Sequence, residues 1–464
     1  MSMKKILLVL ALVILYFGLN YAFLSNNNYD SMKDYIESTK SEFSYEIEDI
    51  IYEEEWTGFH IKMISGEWLD KKKVDNVEWS HYVDIVIPND TETDTGIMFI
   101  DSGVTDDKYF RLDSISIGYA LKTKSIIVNI HNITFQPVNF LDSEQESFVE
   151  DDLIAYSWNQ FLEGGAKKKD IEWLPRLPMT RAVVRSMDLA QEIALQNNKQ
   201  LSEFVVSGAS KRGWTAWTTA AVDDRVVGVV PIVIDMLNLV PSFENHYRSY
   251  GEFSPAVQDY VNYNIQDWMG TDEFKELMGY VEPYSFIDKF TMPKYIINAG
   301  SDEFFSTDSW RFYYDELADN KLIRYIPNTN HSLNGRYLNQ DLISFFYRIV
   351  NNIDLPTLNW ELIDDNLQVT LDYKGEYLVS IWRAFNEDVR DFRLWQEGEL
   401  WQQTKINRNE NNIFNIKLDS QEVGYQAIMV EFVLDCDSDF PMKISTGPYV
   451  IPDSYTYEKY DPLK

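Results

Sequence analysis

Cysteine is almost absent from this 464-residue sequence, in which Cys436 stands alone. A lone cysteine excludes an internal disulfide and any metal site built from thiolates, so the packing of apolar side chains must stabilise the fold. The composition supports such packing, since 45% of the residues are hydrophobic and 15% are aromatic. The length predicts two folded domains. We expect Cys436 to be a buried, unreactive thiol.

Basic residues are also few. The chain has 41 Lys and Arg against 74 Asp and Glu, which gives a formal net charge of −33. A surface of this sign repels the phosphate backbone of nucleic acids and anionic membrane surfaces. We therefore expect no nucleic-acid partner. An acidic surface that only keeps the protein soluble explains the same charge.

Histidine is scarce, with five residues in the whole chain. None of them has the paired spacing of metal ligands, so we expect no catalytic metal and no cofactor. His60 and His81 lie on predicted early strands, His131 ends a strand, and His246 falls in a predicted insertion. The fifth, His331, is the candidate for catalysis.

The long apolar run of the sequence is at its N terminus. Two lysines precede residues 6–17, and apolar character resumes at residues 21–24. The pattern is typical of a secretory signal peptide and also just long enough for a single uncleaved membrane anchor. Both predict that the rest of the chain, which starts with a polar lead-in at residues 25–55, is secreted or extracytoplasmic. Three glycosylation triplets, which agree with this, begin at Asn89, Asn132 and Asn330.

Residues 56–350 alternate between strand and helix patterns. Residues 96–100 and 125–130 are short continuous apolar runs of the kind buried in parallel sheets. The other predicted strands are 59–64, 81–87, 203–207, 226–234, 294–298 and 322–326. The predicted helices are 179–194, 214–221, 310–317 and 340–349. Residues 241–284 are too long for a plain loop and predict a mostly helical insertion over the pocket.

Residues 351–464 have short alternating runs broken by polar turns, which predict a smaller C-terminal β-sandwich. The predicted fold class is therefore α/β, with a mostly parallel sheet of the α/β-hydrolase type, a helical insertion and the β-sandwich after it.

Ser210 lies on the turn between a predicted strand and a predicted helix, two residues after Gly208. α/β-Hydrolases hold their nucleophile on such a cramped turn, with a glycine two places before it. The next residue, Lys211, would donate its backbone N–H to an oxyanion. Arg212 occupies the place where a small residue is usual, and Gly213 follows it.

Asp302 and His331 follow Ser210 in the chain order serine, acid, histidine. One helix and one strand separate them, which returns the chain to the same edge of a parallel sheet. Because an imidazole activates a serine hydroxyl and a carboxylate orients the imidazole, we predict that these residues form a catalytic triad. Asp235, at the end of another strand, is the alternative acid, and a helix cap is the structural alternative for Asp302.

A second oxyanion donor is expected from the loop after strand 96–100, where Ser102 and Gly103 follow Asp101. Gly103 would allow a close approach of the backbone. A plain tight turn would use the same residue types.

The segment SGASKRGWT at residues 207–215 resembles the signature of the PhoPQ-activated pathogenicity-related family, which includes autocrine proliferation repressors. Further family-like segments occur in family order at residues 79–81, 85–88, 150–158, 177–180, 302–305 and 326–332. The resemblance implies an α/β-hydrolase-like fold with Ser210, Asp302 and His331 at the triad positions. Glucuronoyl-esterase-type hydrolases have a similar elbow with a basic residue near the serine, which implies that Lys211 or Arg212 contacts the substrate or the oxyanion.

The family's glycine-rich oxyanion loop reads Asp101-Ser102-Gly103 here, which brings a carboxylate close to the developing anion. The sequence as a whole predicts a secreted or lumenal serine hydrolase acting on a small-molecule, peptide or glycan ester or amide. The alternative is a secreted signalling or binding protein that meets a cell-surface receptor and has lost catalysis. A third hypothesis is a carbohydrate-active esterase whose β domain binds sugar through Trp382, Trp395 and Trp401.

Overall fold

The computed structural model describes residues 31–105, 112–335, 338–418 and 423–462. The predicted signal peptide or anchor, residues 1–24, lies outside these ranges. Within them, no helix is both long enough and apolar enough to cross a membrane.

A nine-stranded sheet forms the centre of the described chain, in the order β1-β2-β3-β5-β4-β6-β7-β8-β9. Strands β1 to β3 are antiparallel, β3 pairs antiparallel with β5, and the remaining neighbours are parallel. The strands are β1 Ser44–Tyr52, β2 Trp56–Glu67, β3 Glu78–Pro88, β4 Thr95–Ile100, β5 Ile127–Ile130, β6 Glu203–Ala209, β7 Val226–Ile232, β8 Lys294–Ala299 and β9 Lys321–Ile326.

Helices cover both faces of this sheet. The described α-helices are α1 Met32–Ser38, α2 Ser114–Thr123, α3 Glu150–Glu163, α4 Arg176–Gln196, α5 Lys211–Val222, α6 Leu239–Tyr250, α7 Gln258–Asn262, α8 Asp272–Val281, α9 Asn339–Val350 and α10 Leu394–Glu397. Adjacent strand residues such as Val205 and Val206 belong to different apolar clusters, because successive side chains of a strand point to opposite faces. Helices α4 and α5 pack on one face, and α2 and α9 pack on the other.

The winding of the sheet reverses at β4. Strand β5 lies on one side of β4 and β6 on the other, so the carboxyl ends of β4 and β6 border a crevice. Open α/β sheets bind ligands at such a reversal. Ser210 follows directly after β6, and helices α6, α7 and α8 form the insertion that covers this edge.

The C-terminal region consists of two antiparallel sheets. One has the order β10-β11-β14, and the other has the order β13-β12-β15-β16 with β17 beside β15. Phe414 of the first sheet packs 5.6 Å from Phe432 of the second, ring centre to ring centre, so the sheets face each other. The predicted fold class is confirmed. These strands are β10 Thr357–Ile363, β11 Asn366–Asp372, β12 Tyr377–Asn386, β13 Gln402–Ile406, β14 Ile413–Lys417, β15 Tyr425–Leu434, β16 Met442–Ser445 and β17 Tyr449–Ile451.

The polar lead-in predicted for residues 25–55 is wrong from Met32 onward. Helix α1 buries Met32, Tyr35 and Ile36 against the core, and β1 adds an edge strand to the sheet. The sequence of β1 reads as polar because an exposed edge strand carries charged residues on its solvent side.

The helix predicted for residues 310–317 is also wrong. Two short 3₁₀ turns, Ser309–Phe312 and Tyr314–Glu316, take its place. The reason is tertiary, since the Trp310 indole donates to the carbonyl of Pro448 and the Tyr313 hydroxyl donates to Asp235.

Three smaller expectations change with the structure. Cys436 is half-buried rather than buried, and its thiol donates to the carbonyl of Val433 at 3.3 Å. Asn132 is only 3% exposed, so it cannot carry a glycan in this fold. Trp401 is buried, with its indole donating to the carbonyl of Gly300, so it is not available to a sugar-binding surface.

Candidate active site

Ser210 occupies a strained turn between β6 and α5. Its φ is 57° and its ψ is −126°, a region that non-glycine residues rarely adopt, and its N–H donates to the carbonyl of Ile232 at 2.7 Å. A Cβ on Gly208 would lie 2.6 Å from the carbonyl oxygen of Arg212, and a Cβ on Gly213 would lie 2.9 Å from that of Gly208. The two glycines therefore permit the turn, with Gly213 as the second small residue.

The three predicted triad residues meet at the carboxyl edge of the sheet. His331 Nε2 lies 2.8 Å from Ser210 Oγ. On the other side of the ring, His331 Nδ1 lies 3.1 and 3.0 Å from the two carboxylate oxygens of Asp302. In the neutral tautomer with the proton on Nδ1, Nε2 is free to accept the hydroxyl proton of Ser210.

Asp302 and Asp235 have separate roles. Asp302 is buried and, besides facing His331, accepts the backbone N–H of Phe304 at 2.8 Å. Asp235 instead accepts hydrogen bonds from the hydroxyls of Tyr313 and Tyr325, and burial raises its pKa to about 7. The structure thus places Asp302, and not Asp235, beside the imidazole.

The loop that carries His331 is held by a residue that the sequence did not reveal. The carboxylate of Glu303 accepts the backbone N–H of His331 at 2.9 Å. Burial by itself would lower the pKa of His331, but the charge and hydrogen bond of Asp302, with a smaller contribution from Glu303, raise it above its ordinary value.

The two basic residues after Ser210 are held by carboxylates of α3. Lys211 Nζ lies 2.7 Å from Glu150 and 3.0 Å from Asp151. Both terminal nitrogens of Arg212 donate to the carboxylate of Glu150, and its Nε donates to the carbonyl of Ile133. Each of the three nitrogens of Arg212 therefore has a protein partner, and its contact with substrate or oxyanion stays a prediction.

Glu150 was not among the residues predicted from the sequence. Burial would raise its pKa, but Arg212 and Lys211 lower the pKa of its carboxyl to about 2. Its backbone has a positive φ of 51°. No local pattern distinguishes Glu150 from other acids at the start of a helix, since its partners lie 62 residues away in the chain.

Lys211 and the loop after β4 lie where oxyanion donors are expected. Lys211 is the first residue of α5, and N–H groups in a first helical turn have no partner within the helix. The register pairs Ile100, the last residue of β4, with Gly208, so the loop that contains Ser102 begins beside the strand that leads to Ser210. The roles of Lys211, Ser102 and Gly103 as donors stay predictions.

The carboxylate of Asp101 faces an imidazole. Its nearest cationic group is His131, whose Nδ1 is 3.9 Å away. The Nε2 of the same ring lies 3.0 Å from Asp84, which also contacts His60 at 2.6 Å.

A cavity of about 600 Å³, counting its open mouth, borders Ser210. The insertion supplies much of its wall, and the wall is largely apolar. Its polar lining comprises Asp151, Arg176, Ser210, Lys211, Tyr260 and Gln266. Prominent apolar lining residues are Trp158, Trp214, Met236, Phe243, Phe274 and Phe304. Among the described residues, no group of three or more His, Cys, Asp or Glu side chains could hold a metal ion.

The strand order, the strained serine turn after β6 and the acid and histidine after β8 and β9 define an α/β-hydrolase fold. The chain belongs to the PhoPQ-activated pathogenicity-related protein family, whose sequence model matches residues 32–393. The resemblance seen in the sequence motifs is confirmed.

Among known proteins, the chain is similar to autocrine proliferation repressor protein A of Dictyostelium discoideum, with 30% identity over 486 aligned positions that cover 98% of this chain and 95% of that protein. Similar solved structures include an acetyl xylan esterase from Paenibacillus sp. R4, with 10% identity, a TM-score of 0.47, and coverage of 70% of this chain and 96% of the esterase. Acetyl xylan esterase 1 from Thermoanaerobacterium sp. JW/SL YS485 has 13% identity and a TM-score of 0.46, with the same coverage.

Proposed function

We propose that this protein is a serine hydrolase that cleaves a carboxylic ester or amide through an acyl-enzyme. The observation that supports this most is the continuous contact from Ser210 Oγ through the His331 ring to the Asp302 carboxylate. We also propose that the enzyme acts outside the cytoplasm, in keeping with the apolar run at its N terminus.

In the proposed reaction, Ser210 Oγ attacks the substrate carbonyl while His331 Nε2 accepts its proton. The N–H of Lys211 and the positive end of α5 stabilise the resulting oxyanion. When the intermediate collapses, His331 returns the proton to the departing alcohol or amine. Water then attacks the acyl-enzyme, again giving a proton to His331, and Ser210 is regenerated as the acid product leaves.

A fluorophosphonate probe tests the nucleophile directly. We expect the wild-type protein to become labelled, with the adduct mapped by mass spectrometry to the peptide that contains Ser210. Labelling should disappear after heat denaturation and persist in Ser207→Ala, because Ser207 is buried on the same strand and bonds only the carbonyl of Val230. A folded protein that takes up no probe would contradict the proposed function.

The pH dependence of hydrolysis tests the imidazole. The general base must be neutral, and the pKa of His331 is raised, so kcat/KM should fall on the acid side with a midpoint above about 6.5. In Asp302→Asn, no carboxylate opposes the effect of burial, which lowers the pKa of His331. The midpoint should therefore move to lower pH. Glu303→Gln should move it in the same direction by less. A midpoint unchanged in both variants would argue against His331 as the base.

A second candidate function, a secreted growth-repressing signal, is favoured by the likeness to autocrine proliferation repressor protein A. The Ser210→Ala variant separates the two candidates in a proliferation assay with purified protein. Repression that survives the loss of the hydroxyl would assign the activity to the protein surface, and repression that is lost with it would assign the activity to hydrolysis.

A further inference from the structure

One charged side chain of the cavity has no carboxylate partner. Arg176, the first residue of α4, lines the cavity and is 1% exposed. Its Nη1 donates to the carbonyl of Lys211 at 2.7 Å and approaches the sulfur of Met179 at 3.9 Å. Its guanidinium carbon lies 4.5 Å from the ring centre of Trp214. Burial lowers the pKa of Arg176 to about 10, so it stays protonated at neutral pH.

Arg176 is exceptional among the buried arginines of the described chain. Each of the others lies within 4.0 Å of a carboxylate, in the pairs Arg181–Glu42, Arg185–Asp188, Arg212–Glu150, Arg324–Asp341, Arg348–Asp435, Arg390–Asp308 and Arg393–Asp391. A buried cation without a counter-charge is costly, and the stacking on Trp214 offsets only part of that cost.

Two guanidinium nitrogens of Arg176 remain without a partner among the described residues. Nε is buried away from solvent and donates to no described residue. Nη2 donates to no described residue either, yet it is not among the sealed atoms, so it retains accessible surface on a residue that lines the cavity. Nη2 is therefore the donor that an anionic group in the cavity could reach.

The other charges of the cavity wall do not supply that acceptor. The carboxylate of Asp151 is 3.0 Å from Lys211 Nζ and accepts the hydroxyl of Tyr260 at 3.0 Å. Lys211 is in turn paired with Glu150. Among the described residues, Arg176 therefore has no carboxylate in contact with it, and only the more distant charges of Asp151 and Glu150 act on it. In the apolar cavity, an ion pair with a ligand is stronger than in water.

The position of this charge relates it to the nucleophile. Arg176 bonds the carbonyl of Lys211, the residue after Ser210, and that carbonyl points along α5 away from the turn. One helical turn spans about 5.4 Å. A group bound by Arg176 would thus be separated from a carbonyl at Ser210 by several bonds.

We propose that Arg176 binds a carboxylate carried by the substrate, on its acyl or its alcohol part, about one helical turn from Ser210. The enzyme would then select anionic esters over neutral esters of the same length. This inference rests on the proposed hydrolase function, and it makes Arg176 a specificity-determining residue.

Matched esters test the selection. Monomethyl adipate and methyl hexanoate have acyl chains of equal length, and only the first carries a carboxylate. The pair 6-acetoxyhexanoate and hexyl acetate places the charge on the alcohol part. We expect the wild type to prefer the charged member of one pair. In Arg176→Met, kcat/KM for the preferred charged ester should fall about 10- to 100-fold, mainly because KM rises. The kcat/KM for the neutral ester should not change.

Two variants accompany Arg176→Met. Arg176→Lys keeps the positive charge but lacks the planar guanidinium, so it should recover part of the preference for the charged ester. Arg181→Met, which removes another buried guanidinium of α4 far from the cavity lining, should leave the ratio of charged to neutral rates unchanged. Equal rates for both members of each pair in the wild type, or an equal loss for both in Arg176→Met, would overturn the proposal and leave Arg176 as a packing partner of Trp214.

Failure of the proposal and failure of hydrolysis can be told apart. If neither ester is cleaved and the fluorophosphonate does not label Ser210, hydrolysis fails. Calorimetry with monomethyl adipate then still tests the anion site, because the ester should bind the wild type more tightly than Arg176→Met. If Arg176→Met does not fold, protection of Ser210 from the probe by adipate but not by hexanamide, in the wild type, supports the site. Equal protection by both would overturn it.

Discussion

Replacing His331 with alanine is expected to lower kcat about a millionfold, and Ser210→Ala should lower it by the same factor. Both losses follow from the geometry, because Ser210 Oγ has its basic contact at His331 Nε2. Without the imidazole the hydroxyl keeps its proton, and without the hydroxyl the imidazole has nothing to activate. The double variant should therefore be no slower than either single variant. Ester hydrolysis measured in large enzyme excess would detect the residual rate.

Asp302→Asn should cost less, about 10⁴-fold in kcat, because the amide leaves the ring in place but favours the wrong tautomer. Asp235→Asn provides the matched control. Asp235 is equally buried at the end of a neighbouring strand, and its carboxylate contacts tyrosines instead of the imidazole. If Asp235→Asn lowered kcat as much as Asp302→Asn, our assignment of the acid would be incorrect.

The largest expected effect on stability comes from an ion pair between the C-terminal β region and the loop after β8. Arg390, after β12, and Asp308, after β8, meet at 2.6 Å with side chains only 1% and 2% exposed. Asn245 of the insertion also donates to Asp308, at 3.0 Å. Burial would raise the pKa of Asp308, but the charge and hydrogen bonds of Arg390 hold it far below its usual range.

Asp308→Ala leaves a buried guanidinium without its main partner, which should lower the free energy of unfolding by about 3–5 kcal/mol. Arg390→Met should cost a similar amount, and the double variant should lose less than the sum. Urea unfolding followed by both tryptophan fluorescence and circular dichroism would measure these changes, since coinciding transitions justify a single free energy.

The exposed pair Arg408–Glu376 is the control. Its side chains are 38% and 84% exposed, so Arg408→Met should cost at most about 1 kcal/mol. The folded-state pKa of Asp308 is depressed, so the contribution of the buried pair should be present above about pH 4 and decline as the pH falls below that. Additive losses in the Arg390 and Asp308 variants would show that the two side chains do not stabilise each other.

The candidate triad could be predicted because chain order and topology are linked. In a parallel sheet each strand, loop and helix returns the chain to the same edge, so acids and bases after successive strands converge. Their places after β8 and β9 were enough to make Asp302 and His331 candidates, with Asp235 as the alternative acid. The insertion could be predicted from its length, because a long segment between two strands of a compact domain must form structure of its own.

The features that the sequence missed depend on partners distant in the chain. It did not reveal that Glu150 binds Arg212 from 62 residues away. Residues 310–317 have the apolar spacing of a helix, but the Trp310 indole donates to the carbonyl of Pro448 in the C-terminal β region, and the chain forms short turns there. Propensity is a weak prior where one large side chain finds a long-range contact.

The sequence by itself determined most of the strand and helix order of residues 56–350, the candidate nucleophile and its candidate base, and it left two candidate acids. These follow from local periodicity and from the requirements of a strained turn. Only the tertiary structure decided which charges neutralise each other and that Asp302 rather than Asp235 faces the imidazole. It also decided that Arg176 is buried near Ser210 and that no carboxylate of the described residues contacts its guanidinium. Such pairings depend on distances between side chains brought together by folding, and the Coulomb energy that ranks them varies with those distances and with burial.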